Sequence, residues 1–327
     1  MQHFLAVPVL LGFTAAAALA SADSTLLSLV PANATLVSSI NVQQAWSSPF
    51  GQYLVSQMNT NAGNFNNITQ QTGFDPRRDL QTVVFASIGQ PVSKAQASFV
   101  VIARGTFPSQ WIQKQILSEN GSVQTIGGVD VYVRTEHAQS TAFATPDIGL
   151  AVFGDLASVQ QVIANRANPS VLDPSLQALI SKISANNDAW FASVLPGSFL
   201  TQHVNAATNQ QLKPQAQALQ SVHQAAGGVQ FGDPVQLTFD AVTRSPQDAV
   251  SLSDVVRFMA SFIQMQRQNE PHAQVLASAL DNMTLNTSGN DFHASVSIPE
   301  KSLEQLADLA PKGQVHRGFK TARQSQR

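Results

Sequence analysis

The hydrophobic positions along this chain follow two periods, one typical of β-strands and one typical of α-helices. Dense apolar runs at 83–88 and 98–104 are typical of buried strands, and 235–242 alternates apolar and polar residues as a half-exposed strand does. Between such runs, apolar residues recur at helical spacing, which indicates amphipathic helices. The pattern therefore predicts an α+β fold in which helices pack on antiparallel sheets.

The segment TGFDPRRDL at 72–80 is the clearest local signal in the sequence. Gly73 tolerates the left-handed backbone of a helix C-cap, while Asp75 and Pro76 suit the N-cap and first position of a short helix. The rest of the turn is charged: Arg77, Arg78 and Asp79. An acid and a base in such a turn could bind an anion, but a locally paired structural corner is the favoured interpretation.

Three blocks of predicted strands and helices in the first part of the chain have counterparts in the same order in the second part. The corresponding blocks are 32–40 and 185–194, 99–108 and 235–246, and 141–163 and 283–300. A repeated order of elements predicts a diverged tandem duplication. We therefore expect two related halves, 23–184 and 185–311, each an antiparallel sheet with helices packed on one face.

Four interpretations of the second half depend on weaker signals. The polar stretch 201–226 is predicted to be helical, and Gly227-Gly228, like Gly127-Gly128, is interpreted as a turn. The longest helix is expected to begin near Leu252 and to end or kink at Pro271, because proline cannot continue a helix. Its apolar stripe is interpreted as core packing, with a lipid or partner groove as the alternative. The stripe consists of Leu252, Val255, Val256, Met259, Phe262 and Ile263.

The two ends of the chain predict segments outside the folded halves. Residues 4–20 are apolar and rich in alanine and leucine, and Ala20-Ser21-Ala22 offers small residues before Asp23. This pattern predicts that 1–22 is a signal peptide, with an ordinary buried helix as the alternative. Residues 312–327 contain five lysines and arginines and no acidic residue, which predicts a basic disordered tail. No other stretch is long and apolar enough to cross a bilayer.

Composition narrows the classes of function. The chain has no cysteine, which excludes disulfides, thiolate metal sites and cysteine nucleophiles. Charged residues make up 12% of the sequence and the formal net charge is -2, so no overall charge attracts nucleic acid or an anionic membrane. We therefore predict that the protein binds no nucleic acid.

The motifs of common catalytic and binding sites are missing from the sequence. There is no Gly-x-Ser-x-Gly, Ser-x-x-Lys, His-Glu-x-x-His, phosphate-binding loop or dinucleotide fingerprint. The histidines are solitary, and they are interpreted as surface or satisfied half-buried residues: His137, His203, His223, His272 and His293. We therefore predict no catalytic residue, no metal ligand, and no cofactor or cofactor-binding residue.

Three short motifs occur together in the first half. They are Pro31-Ala32-Asn33-Ala34 before a strand, Thr72-Gly73-Phe74-Asp75-Pro76 with Asp79-Leu80 before another, and the strand, turn, strand and helix of 143–163. Over about 31–164 the chain thus resembles a family of exported bacterial proteins of unknown function. The resemblance implies export and supplies no catalytic residue, because that family has none established. This chain lacks the lipobox cysteine that some members carry.

Together these features predict an exported, non-catalytic binding or envelope-associated protein in the periplasm or outside the cell. Its partner is expected to be an unknown small molecule or an envelope protein, and a small molecule would bind in a cleft between the halves. Two alternatives stay open. A hydrolase would assemble a Ser, a His and an Asp from distant parts of the chain. A carrier of a hydrophobic ligand would have a cavity lined by Phe258, Met259 and Phe262.

Overall fold

The computed structural model describes residues 23–60, 69, 72–89, 98–118, 120–136, 139–194, 218–265, 267 and 271–309. The predicted signal peptide at 1–22 and the predicted tail at 312–327 lie outside these residues. The same holds for 201–217, most of the stretch predicted to be helical before Ala226.

Twelve strands of the described residues form one antiparallel sheet. Their bounds are β1 (Ala34–Asn41), β2 (Leu80–Ile88), β3 (Ser98–Gly105), β4 (Ser122–Ile126), β5 (Val129–Glu136), β6 (Gln139–Asp147), β7 (Leu150–Asp155), β8 (Ala189–Ser193), β9 (Val222–Gln230), β10 (Val235–Thr243), β11 (Thr284–Ser288) and β12 (Asp291–Ile298). The order across the sheet is β11-β12-β10-β9-β8-β1-β2-β3-β7-β6-β5-β4. An antiparallel sheet with interspersed helices confirms the predicted α+β class.

Most helices begin where the sequence places an N-cap residue or a proline. Their bounds are α1 (Ser24–Leu27), α2 (Val42–Ser47), α3 (Pro49–Thr60), α4 (Pro76–Asp79), α5 (Ser109–Ser118), α6 (Leu156–Asn165), α7 (Pro174–Ser184), α8 (Pro246–Met265), α9 (Pro271–Leu280) and α10 (Glu300–Leu309). Asp75, Asp155 and Asp173 each accept a hydrogen bond from a backbone N–H of the first helical turn. α8 ends at Met265 and Pro271 begins a new helix, so the predicted break is confirmed. The start predicted near Leu252 is wrong, because α8 already begins at Pro246, a residue suited to the first position of a helix.

The two halves expected from the sequence do not form separate sheets. β1 pairs directly with β8, with Val37 opposite Ala192 and Ser38 opposite Phe191, and this ladder continues one sheet into the other. The prediction of a separate sheet in each half is therefore wrong: the two sets of strands form one sheet. Pairing two otherwise exposed inner edges satisfies their backbone N–H and C=O groups, which would stay unpaired if the sheets were separate.

Helices cover both faces of this sheet. On one face, strand residues such as Val84 and Trp190 form a core with Val159 of α6 and Leu176 of α7. On the other face, Phe191 joins a smaller core around Leu252 of α8. Because Trp190 and Phe191 are neighbours in one strand, their side chains point to opposite faces. We call these the α7 face and the α8 face.

The strand β9 corrects two interpretations of the sequence. Val222–Ala226, predicted to be helical, belongs to β9, and Gly227-Gly228 lies inside this central strand and forms no turn. Both glycines are required by close neighbours. A β-carbon at Gly227 would overlap the ring of Phe191, and one at Gly228 would overlap the buried amide of Asn187. By contrast, Gly127-Gly128 does form the predicted hairpin turn, with both residues at positive φ.

We expect Gly228→Ala to lower the free energy of unfolding by about 1–3 kcal/mol, because the added methyl group overpacks a fixed neighbour. Asn187 cannot move aside easily, since its amide donates to the Ile183 carbonyl at 2.7 Å. Urea denaturation measures the change. Gly232→Ala is the control, because its β-carbon would meet nothing closer than the Pro234 carbonyl oxygen at 3.6 Å. Equal stability of both variants would contradict this packing.

Candidate functional site

A row of aligned side chains crosses the whole sheet on the α8 face. The pairing registers place one residue of every strand in this row, which we call the cross-sheet row. From β4 to β11 its members are Val123, Tyr132, Phe143, Phe153, Val101, Phe85, Ser38, Phe191, Gly227, Phe239, Ala294 and Leu285. All are apolar or aromatic except Ser38 and Gly227, which are small.

Phenylalanines in and beside the row form two groups. In the first half, the Phe85 and Phe99 rings stack with centroids 6.2 Å apart, and Phe153 lies 6.0 Å from Phe99. In the second half, Phe191 and Phe239 are 6.4 Å apart, with Phe292 at 6.3 Å from Phe239. Each pair lies in the range of favourable ring contacts. Ser38, with its short side chain, lies between the two groups.

The space above Ser38 is an open cavity of about 590 Å³, which we call the central trough. Its lining consists of Ser38, Ser39, Ile40, Val83, Phe85, Ala189, Trp190, Phe191, Gly227, Gly228, Val229, Leu237, Thr238 and Phe239. None of these residues is charged. The volume lies within the range of about 300–1,000 Å³ that small-molecule sites occupy. The trough spans β1 and β8, which is where the sequence analysis places a cleft between the halves.

The trough can hold apolar groups and offers few polar contacts. On the α8 face, Ser38 supplies the single side-chain hydroxyl among its lining residues, since Ser39 and Thr238 belong to the opposite face by strand alternation. Sequence reasoning located β8 and β10 as strands but missed Phe191 and Phe239 as site residues. The alternation at 235–242 indicates that Leu237 and Phe239 share a face. That Phe191 and Phe239 align with Phe85 is seen only from the pairing register of the strands.

The apolar stripe of α8 is divided between core and surface. Leu252 is buried against β9 and β10, as core packing requires. Phe258, Met259 and Phe262 are 59%, 57% and 53% exposed, so core packing is wrong for the second part of the stripe. The central trough contains none of these three residues in its lining.

One histidine of the described residues forms a polar cluster. His293 Nδ1 lies 2.9 Å from Asp240 Oδ1, and Lys182 Nζ lies 3.1 Å from the same oxygen. This Asp–His pair fixes the imidazole as in a catalytic triad, but among the described residues no hydroxyl bonds to His293. His223 is exposed on β9, and no group of three or more potential metal ligands occurs in the described part of the chain.

The chain matches no protein-family model, and neither a curated protein nor a solved structure is similar to it. The resemblance to an exported bacterial family therefore stays a prediction. Within the described ranges, none of the helices has the length and apolar character that spanning a membrane requires.

The charged turn at 75–79 is a structural corner. Arg77 donates to the Asp75 carboxylate at 2.8 and 2.6 Å, and Arg78 donates to Asp79 at 2.6 and 2.7 Å. Asp79 also accepts from the Asp75 backbone N–H at 2.7 Å. These hydrogen bonds engage each guanidinium with a neighbouring carboxylate, which favours the structural interpretation over an anion site. They also lower the pKa values of Asp75 and Asp79, chiefly through the arginine side chains.

The carboxylates of this corner should make part of the free energy of unfolding depend on pH. A carboxylate with a lowered pKa stabilises the fold above its unfolded pKa of about 4, and this contribution is lost as the pH falls through the folded pKa. We expect Asp79→Asn to lower the free energy of unfolding at pH 7 by about 1–2 kcal/mol. Its stability should also fall less steeply below about pH 4 than that of the wild type.

Urea unfolding between neutral and acid pH measures both effects. Asp147→Asn serves as the control, because Asp147 is about half exposed in its pair with Arg166 and such surface pairs contribute under about 1 kcal/mol. An unchanged acid profile in Asp79→Asn would show that the corner does not contribute as described.

Proposed function

We propose that this protein is an exported, non-catalytic binding protein whose ligand lies in the central trough. The observation that carries the proposal is an uncharged cavity of about 590 Å³ at the centre of the sheet, between two groups of phenylalanines. Such concave, mostly apolar surfaces with few polar groups are typical of small-molecule sites. The expected export rests on the apolar segment at 1–22 and on the motifs shared with exported proteins.

The ligand we propose is a neutral molecule rich in hydrocarbon. A charged ligand would lose its hydration in the trough without gaining a partner of opposite charge, which is costly. Apolar surface gains about 25 cal/mol for each Å² removed from water, so an acyl chain or aromatic ring would bind favourably against Phe85 and Phe191. The Ser38 hydroxyl could orient one polar group of such a ligand.

We also propose that the two halves arose by duplication, which would make the trough a junction between related units. Two observations support this. The series β1-β2-β3-β7-β6 and β8-β9-β10-β12-β11 run outward from the β1–β8 ladder in the same chain order. In addition, β2 and β9 each have nine residues, and each series ends in a ten-residue helix, α6 or α10. Binding sites often lie at such junctions.

A hydrolase is less well supported than a binding protein. The Asp240–His293 pair lies on the α7 face, because Asp240 alternates with Phe239 in β10. The sheet therefore separates this pair from the trough. A hydrolase would also need a nucleophile hydrogen-bonded to the base, and the described residues place none beside His293.

The proposal is tested by filling the trough. Ser38→Trp should place an indole ring between Phe85 and Phe191, whereas Ser38→Ala leaves the space open and is the matched control. The probe is N-phenyl-1-naphthylamine, a neutral aromatic dye that fluoresces in apolar sites. We expect saturable binding to the wild type and to Ser38→Ala, and binding at least about tenfold weaker to Ser38→Trp.

Equal dye binding by all three proteins, each shown by circular dichroism to be folded, would refute the trough as the site. Native mass spectrometry of the protein purified from its host then addresses the natural ligand. A co-purifying neutral molecule that is lost in Ser38→Trp would support the proposal. A bare chain in every preparation would count against it.

A further inference from the structure

The β11 end of the sheet carries the largest group of exposed apolar side chains among the described residues. Phe258, Met259, Phe262 and Met265 of α8 are 59%, 57%, 53% and 76% exposed. Their spacing places them on one side of the helix. Together they leave on the order of 500 Å² of apolar surface, as large as the largest patch of a typical monomer, and such patches mark interaction sites.

The strand beside this helix is the last of the sheet. β11 pairs with β12 alone among the described strands, and α8 packs against β11, β12 and β10. The hairpin closes through the two-residue turn Gly289-Asn290, with Ser288 opposite Asp291. In such a hairpin the closing pair is hydrogen-bonded, so Thr284, Asn286 and Ser288 bond to β12. The backbone N–H and C=O groups of Leu285 and Thr287 therefore face outward.

Within the described part of the chain, this edge shows none of the features by which proteins prevent strand addition. β11, with the sequence TLNTS, contains no charged residue and no proline, and its pairing with β12 has no bulge. Natural sheets protect free edges with charges, prolines, bulges or covering elements. An uncharged edge next to an exposed apolar helix is therefore suited to a partner that supplies both a strand and an apolar surface.

We propose that this partner is a second copy of the chain, joined through β11 and α8 about a two-fold axis normal to the sheet. An antiparallel β11–β11′ pair centred on Asn286 brings the outward groups of Leu285 opposite those of Thr287 in the other copy. The same rotation keeps both α8 helices on one face and brings their apolar sides together. A dimer with this two-fold axis thus pairs the outward backbone groups of both β11 strands and buries both apolar patches.

The area and the charges agree with self-association. Two patches of about 500 Å² would bury about 1,000 Å² before the strands are counted, which is the size a specific interface needs. The charged residues beside the patch form balanced pairs, Asp254 with Arg257 at 3.8 Å and Arg267 with Asp281 at 3.4 Å. Two copies would therefore meet without a net repulsion between like charges.

The opposite edge of the sheet supplies a matched control. β4, with the sequence SVQTI, is also uncharged, and its hairpin closes through Gly127-Gly128, so Thr125 likewise directs its N–H outward. The exposed apolar side chains at this edge are fewer and less exposed: Val123 of β4 at 51%, and Trp111 and Leu117 of α5 at 39% and 46%. We therefore assign the interface to β11, and β4 serves for comparison.

The test uses analytical ultracentrifugation of the full chain and three variants. Thr287→Pro removes an outward N–H of β11 without breaking a bond to β12, and Phe262→Asp places a charge in the apolar patch. Thr125→Pro makes the same change as Thr287→Pro on the β4 edge. We expect the wild type to be a dimer and Thr125→Pro to have the same dissociation constant. For Thr287→Pro and Phe262→Asp we expect a dissociation constant at least about tenfold higher.

Each other outcome overturns the proposal. A wild type that stays monomeric at about 100 µM would exclude a specific dimer of useful affinity. Loss of association in Thr125→Pro but not in Thr287→Pro would move the interface to β4. Assemblies larger than two copies that are lost in both proline variants would indicate head-to-tail joining of β4 to β11. Circular dichroism of every variant separates these results from unfolding.

Discussion

The pairing of β1 with β8 is the contact on which the rest of the structure depends. It joins two sets of strands into one sheet, and its register places Ser38 opposite Phe191. Because side chains alternate along a strand, a slip of one residue would turn Phe191 to the α7 face and bring Trp190 to the α8 face. The trough and the cross-sheet row exist only in the observed register.

The two faces of the sheet have different chemical characters. On the α7 face, the strands under α6 and α7 are apolar and buried, whereas β10 and β12 present Thr238, Asp240 and His293. The α8 face is apolar across the row, including parts that the described helices leave open, such as Phe153, which is 44% exposed. That difference supports the proposed binding role of the α8 face.

Small residues create the space at the centre of the apolar face. Ser38 leaves a gap between Phe85 and Phe191, and Gly227 lets the Phe191 ring lie flat over β9. A larger residue at either position would close the sheet surface. The same need for small residues explains the helix prediction for Val222–Ala226. The His-Gln-Ala-Ala-Gly-Gly sequence has little β propensity, and pairing with β8 and β10 makes this segment a strand.

Local signals in the sequence determined much of this protein by themselves. The cap at Asp75, the break before Pro271, the turn at Gly127-Gly128 and the alternation of β10 each depend on neighbours within a few residues, so each could be predicted. The tertiary structure alone decided that β1 pairs with β8, that β9 is a strand and that Met259 and Phe262 of the α8 stripe are exposed. These features depend on contacts between residues far apart in the chain, and no local pattern encodes which distant strand or helix a segment meets.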